Sequence, residues 1–172
     1  MNLFKKIDPG TVEEMNVVIE TPRNSRNKYE MDTETGVIML DRVIPGAHDY
    51  PVEYGLVPQT LSDDGDALDV ILLSSFPFLP GVVVPTRVVG LLDMIDGGEQ
   101  DSKVLGVPVG DPRYAHVKDL ADVNPHTLKE IQHFFATYKQ LGNKEVIVNG
   151  FKDRKAAGEA FARARKAYED KE

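Results

Sequence analysis

The sequence predicts an α+β domain that is mainly β, and three observations agree on it. Apolar and polar residues alternate through the first half of the chain, glycine and proline punctuate the runs that follow, and helical spacing is confined to the last third. At 172 residues with 41% hydrophobic content the chain suits one core rather than two. Residues 1–172 are therefore expected to form a single domain.

Val12 to Glu20 alternates, with Met15, Val17 and Ile19 on one face and Asn16, Val18 and Glu20 on the other. Asn27 to Asp32 and Gly36 to Val43 flank Thr33-Glu34-Thr35, which reads as a hairpin. A register with Asp32 opposite Ile38 sets Lys28 opposite Arg42. Two cations facing each other are unfavourable unless an anion joins them. Further strands are expected at Leu68–Leu73, Val82–Leu92 and Lys103–Val109. Gly81, Pro85, Gly90, Gly106 and Pro108 interrupt them, as in strands that bend round a barrel. Asp93 to Asp101 reads as a glycine-centred acidic loop. Asn124 and Pro125 make an N-cap and first turn, after which Leu128, Ile131, Phe135 and Tyr138 keep helical spacing until Gly142. A strand at Glu145–Val148 follows, and Ala157, Phe161, Ala164 and Tyr168 outline the apolar face of a last helix.

A net charge of -8 argues against a general nucleic-acid binder, which carries a basic face. It leaves room for a small anion that arrives with divalent cations at a local basic cluster. The absence of cysteine removes disulfides, thiolate chemistry and cysteine-zinc sites. Met1 to Lys6 lacks the apolar run of a signal peptide, and no stretch approaches the ~20 apolar residues that span a bilayer. A cytoplasmic protein without a membrane partner is expected.

Chemistry points to Ser62-Asp63-Asp64-Gly65-Asp66-Ala67-Leu68-Asp69. Asp64, Asp66 and Asp69 fall within six residues on a glycine-bent loop entering an apolar strand. Such carboxylates repel by about 1 kcal/mol per pair at 4 Å in water and ~4 at a protein surface. Asp and Gly are also ordinary turn residues, so the loop alone decides little. A second acidic segment, with Asp96 and Asp101 before Lys103, strengthens the case for a cation site. The spacing does not suit a calcium-binding EF-hand, whereas magnesium takes a few carboxylates and shares ligands with phosphate oxygens. Zinc prefers histidine or cysteine, and His48, His116, His126 and His133 show no ligand spacing. Lys28, Arg42, Lys103, Lys139, Tyr50, Tyr54 and Tyr138 are individually ordinary. Together they suit phosphate: cations for charge, a planar guanidinium for paired oxygens, phenols for direction.

In order along the chain, these residues resemble the soluble family I inorganic pyrophosphatases, especially the bacterial type. The likeness runs through Val18-Ile19-Glu20, Lys28-Tyr29-Glu30, Leu40-Asp41-Arg42, Tyr50-Pro51 with Tyr54-Gly55, and Asp64-Gly65-Asp66 with Asp69-Val70. It continues through Asp96 to Asp101 and Lys103, then His133-Phe134-Phe135 and Tyr138-Lys139. Two positions depart from the family pattern. Ala67 stands where proline or glutamate is usual, and Leu56 where an aromatic commonly follows Tyr-Gly. Glu53, between the two tyrosines, has no role implied by the resemblance.

The resemblance implies a five-stranded OB-like barrel with a hairpin extension and two flanking C-terminal helices, assembled as a homohexamer. It implies hydrolysis of diphosphate with several magnesium ions per active site, other divalent ions also being admissible. By the same likeness Asp64, Asp69 and Asp101 hold a first ion, and Asp69 serves a second. Asp96 with Asp101 carries a third, and Glu30 stands near a fourth. Asp66 is the general base. Lys28, Arg42, Tyr54, Tyr138 and Lys139 bind the phosphoryl groups with Lys103 close by, while Glu20, Asp41 and Tyr50 support them. Two rival readings use the same inventory: a metal-dependent hydrolase of nucleotides or phosphate esters, and a non-catalytic OB module for oligonucleotides. The acidic balance and lack of tryptophan weigh against the second.

Overall fold

Residues 1–171 are described by a computed structural model. Their elements run α1 (Leu3–Lys6), β1 (Met15–Thr21), β2 (Asn27–Asp32), β3 (Val37–Val43), β4 (Glu53–Leu56), β5 (Asp69–Leu72), β6 (Val83–Asp96), β7 (Glu99–Gln100), β8 (Lys103–Pro108), α2 (Pro125–Thr137), β9 (Val146–Lys152) and α3 (Arg154–Lys171).

Five strands close a ring in the order β1-β4-β5-β8-β6, with β6 returning to pair β1. The ring is uneven, because β6 is long enough to carry β7 and β9 as well. Closure needs close approaches that only glycine allows. A Cβ on Gly55 would lie 2.2 Å from the Val18 carbonyl oxygen, and one on Gly106 would lie 2.3 Å from Thr86 Cγ2. Register shifts between Val88 and Gly90 and between Asp93 and Met94 let β6 change partners along its length. The bend expected at Gly90 is such a shift.

Strand alternation divides the core. Val70, Leu72 and Val104 pack with Ala157, Ala160, Phe161 and Ala164 of α3. Ile71, Leu105 and Val107 instead pack with Ile131, Phe134 and Phe135 of α2. Both helical stripes expected from the sequence are in place, and Tyr168 of α3 meets Phe4 edge-on at 5.6 Å. Asn124 caps α2, its side chain accepting from the His126 N–H at 2.9 Å.

Several elements differ from expectation. Strand β4 was not marked by any apolar run of its own; it exists because β1 and β5 supply partners on both sides. The segment Asp93–Asp101 is a hairpin rather than a loop, with only Gly97 and Gly98 between β6 and β7. Helix α2 stops at Thr137, short of Gly142, which instead ends a 3-10 turn over Gln140–Gly142.

The hairpin β2–β3 is a separate two-stranded sheet beside the ring. Asp32 faces Val37, one step from the expected register, yet Lys28 still faces Arg42. A register shift between Lys28 and Tyr29 absorbs the difference and leaves Asp41 as the extra residue. Asp41 is the anion the paired cations require, lying 3.1 Å from Lys28 Nζ and 2.9 Å from Arg42 Nε.

Candidate active site

The parallel pairing of β5 with β8 sets Val70 beside Val104, so Asp69 and Lys103 enter the sheet side by side. Buried Lys103 donates to Asp69 Oδ2 and Asp101 Oδ1, both at 2.8 Å, and to the Tyr54 hydroxyl at 3.0 Å. Burial alone would discharge an ammonium, but Asp69 and Asp101 outweigh it and hold Lys103 firmly protonated. The Tyr54 hydroxyl donates to Asp69, and burial beside Asp69 and Asp101 raises its pKa well above the usual phenol range.

The aspartate loop before β5 is internally bonded. Gly65 takes φ +89°, which favours glycine, while Ser62 donates to the Asp66 carbonyl at 2.7 Å and Asp66 N–H donates to Asp64 Oδ1 at 3.1 Å. Leu61 N–H ties the loop to α3 through the Ala164 carbonyl at 2.9 Å. Two cavities meet on this loop. A cleft of about 50 Å³ brings Asp64, Asp69 and Asp101 together, rimmed by Gln100, Ser102 and Arg163. A larger one, about 200 Å³, is lined by Asp66, Asp69, Glu20, Glu30, Lys28 and Tyr54 and extends toward Phe4 and Tyr168. Asp69 belongs to both.

Charge is unevenly balanced there. Burial raises the Asp64 pKa, as do the Asp101, Asp69 and Asp66 charges, against the Asp66 backbone N–H. Burial also raises Asp66, with Glu30 and Asp69 adding to the effect. Glu20 is pushed up to about 8 by burial, despite accepting from the Met31 N–H at 2.7 Å.

Cations stand among these carboxylates. Lys28 is 2.9 Å from Glu30 and shares Asp41 with Arg42. Lys139, at the end of α2, pairs with Asp96 at the end of β6. Burial lowers the Lys139 pKa and the Arg42 and Lys28 charges lower it further, despite Asp96. Tyr138 lies among them, its ring stacked 4.8 Å from Phe134. The buried Tyr50 hydroxyl has no hydrogen-bond partner among the described residues, and its ring lies 5.8 Å from that of Tyr54.

Nearly all the residues singled out from the sequence thus converge. Asp96 lines neither carboxylate cavity, as is also true of Arg42, Tyr138 and Lys139, and is held by Lys139. Phe134 is buried within this chain, and exposed His133 sits next to it. Sequence reasoning missed Arg163 at the rim of the smaller cleft. Its one signal is its place beside Ala160 and Ala164 on α3, which is ordinary for a solvated arginine.

Hard carboxylate oxygens in excess of their cations suit a hard divalent ion such as magnesium. Among the described residues no three acidic or histidine side chains stand ready as an ion cage. Lys103 already engages the Asp69 and Asp101 oxygens that such an ion would use.

Comparison with known proteins agrees with this inventory. A family model described as inorganic pyrophosphatase matches residues 17–169. The inorganic pyrophosphatase of Thermus thermophilus is 54% identical over 148 residues, covering 84% of this chain and 85% of the relative. That of Helicobacter pylori (strain 26695) is 44% identical over 172 residues, covering 98% and 99%. The crystal structure of inorganic pyrophosphatase from Thermus thermophilus superposes with a TM-score of 0.93 at 49% identity, over 98% of this chain and 99% of that one.

Proposed function

We propose a mechanism from the premise that this chain belongs to the inorganic pyrophosphatase family. The chain hydrolyses inorganic pyrophosphate; in our reading the supporting ion is magnesium and the general base is Asp66. The observation that carries this reading is one cavity lined by Lys28, Tyr54, Glu30, Asp66 and Asp69, with Arg42 joined to Lys28 through Asp41.

Diphosphate hydrolysis needs a water freed of a proton, relief of charge on phosphorus, and a stabilised leaving phosphate. Lys28, Arg42 and Lys139 supply positive charge to the phosphoryl oxygens, and the Tyr54 and Tyr138 hydroxyls direct them. Lys103 stands beside Tyr54 and contributes to the same field. Asp66 takes one proton from the attacking water as its oxygen forms the new bond to phosphorus. The bridging oxygen leaves with the electron pair of the broken bond, and two phosphates result. Water attacks directly, so no covalent enzyme intermediate is needed.

Asp64, Asp69 and Asp101 would hold a first magnesium, Asp69 would also serve a second, Asp96 with Asp101 would carry a third, and Glu30 would stand near a fourth. Bound magnesium supplies acidification of water and neutralisation of phosphoryl charge. Glu20, Asp41 and Tyr50 hold the hairpin and the tyrosine wall in place. The family reading also implies a cytoplasmic homohexamer, and a monomer by light scattering at micromolar concentration would contradict the assembly.

Phosphate release from pyrophosphate, from ATP and from a phosphodiester, each with magnesium and with chelator, tests the function. Strong magnesium-dependent preference for pyrophosphate is expected. Substantial turnover of ATP or the diester would favour a broader phosphate-ester hydrolase. Asp66→Asn should lower kcat about 10²–10⁴-fold with little change in KM. Near-normal turnover of that variant at neutral pH would remove Asp66 as the base.

A further inference from the structure

A buried carboxylate is costly unless its oxygens are taken up by donors. Glu53 is fully buried on β4, and the sequence offered no role for it. Its Oε2 accepts from the Arg23 backbone N–H at 3.1 Å, and its Oε1 accepts from Ser74 Oγ at 2.8 Å. The Arg23 guanidinium then donates to the Ser74 carbonyl at 2.8 Å and the Ser75 carbonyl at 3.2 Å. Ser75 in turn donates to Asp111 from both its N–H (3.1 Å) and its hydroxyl (2.6 Å). These bonds join the turn after β1, the start of β4, the strap after β5 and the segment after β8.

This junction matters because β2–β3 shares no sheet with the ring. The turn held by Glu53 leads directly into β2. It also fixes the chain around Tyr50, since Asn24 N–H donates to the Tyr50 carbonyl at 2.9 Å and Tyr50 N–H to the Ser25 carbonyl at 3.0 Å. The far strand joins the same turn through Ile44 N–H and the Arg26 carbonyl at 2.8 Å. Lys28 and Arg42 ride on this hairpin, whereas Asp64, Asp66, Asp69 and Asp101 belong to the ring. Strand β2 is tied to β1 further along by Glu20 with the Met31 amide and Thr21 with Tyr29, so the Glu53 junction governs the base of the hairpin, the end that carries Lys28 and Arg42.

We infer that Glu53 is a positioning residue for diphosphate: its carboxylate pins the Arg23 turn to the ring, and through that turn sets where Lys28 and Arg42 stand. The inference rests on the diphosphatase reading above. A glutamine at this position keeps the volume and one acceptor for Ser74, but no longer offers two acceptor oxygens to Ser74 and Arg23. Because the affected groups bind diphosphate rather than take the proton of the attacking water, affinity should change and the pH profile should not.

The test compares wild type, Glu53→Gln and Arg23→Ala, each shown folded by circular dichroism at the assay temperature. In Glu53→Gln, KM for magnesium diphosphate should rise about tenfold, with kcat within about threefold and the acid limb of the pH profile unmoved. Arg23→Ala, which keeps the backbone contact to Glu53 but frees the strap, should raise KM in the same direction by less. Calorimetric titration with inorganic phosphate should show the same loss of affinity. A KM within twofold of wild type in folded Glu53→Gln, or a fall in kcat at constant KM, would overturn the inference. If Glu53→Gln does not fold, Glu53→Asp decides, because its shorter side chain withdraws the carboxylate from the Arg23 amide and Ser74: an unchanged KM rejects the pin. Failure of wild type to hydrolyse diphosphate would instead sink the functional reading, and the phosphate titration would then judge Glu53 by itself.

Discussion

At the scale of single residues, protonation in this site follows burial more than sequence neighbourhood. Glu20 illustrates the point. It looks like one polar residue on an alternating strand, yet it is buried against the Met31 amide and pushed from 4.5 to about 8. Between those values the folded chain binds a proton that the unfolded chain releases. The associated stability is fully present below about pH 4.5 and is lost as pH rises toward about 8. The loss is on the order of a few kcal/mol, since one pKa unit corresponds to about 1.4 kcal/mol. Glu20→Gln keeps the acceptor for Met31 without the ionisation. Denaturant unfolding in chelator at pH 5 and pH 8 should therefore show wild type losing more stability across that interval than Glu20→Gln. Parallel losses in the two proteins would mean that Glu20 is charged when folded. Asp41 is a second case, a family-pattern residue whose place between Lys28 and Arg42 comes from a register shift.

At the scale of elements, ring closure puts the greatest demand on the strands. The β1–β4 contact is tight enough that a Cβ on Gly55 would overlap the Val18 carbonyl, which is backbone and cannot rotate away. Gly55→Ala should therefore cost about 1–3 kcal/mol by overpacking. Thermal unfolding should show a clear drop, and an unchanged melting temperature would mean that the two strands separate without loss. The helices were readable from the sequence because each apolar stripe is a local 3.6-residue repeat. Strand β4 was not, since four residues including a charged Glu53 and a glycine carry little pattern. Its pairing with β1 and β5 makes it a strand. The segment from Asp93 to Asp101 misled for a related reason. Its acidic, glycine-rich composition resembles a loop, but β9 and β7 supply the ladder that extends β6 through it.

At the scale of the whole molecule, the ring and the two-stranded hairpin packed against β1 meet at the site, the ring carrying most of the carboxylates and the hairpin Lys28 and Arg42. Magnesium binding only the folded arrangement should raise the melting temperature, by about 2.7 kcal/mol of added stability at a hundredfold excess over Kd. Because Lys103 already pairs with Asp69 and Asp101, the rise tests whether the ion competes successfully with that ammonium. Identical melting curves in millimolar magnesium and in chelator would reject an ion site on these carboxylates. The chain's own order of residues settled the kind of chemistry, since crowded aspartates, phosphate-seeking cations and phenols are chemical identities that need no partner to be recognised. Which of them meet was decided by folding alone. The Asp69–Lys103 neighbourhood depends on parallel pairing of strands more than thirty residues apart, the Lys28–Arg42 pairing on a shifted register, and the anchoring by Glu53 on turns distant in the chain. Periodicity reports the face a side chain takes; it carries no information about which remote backbone will lie beside it.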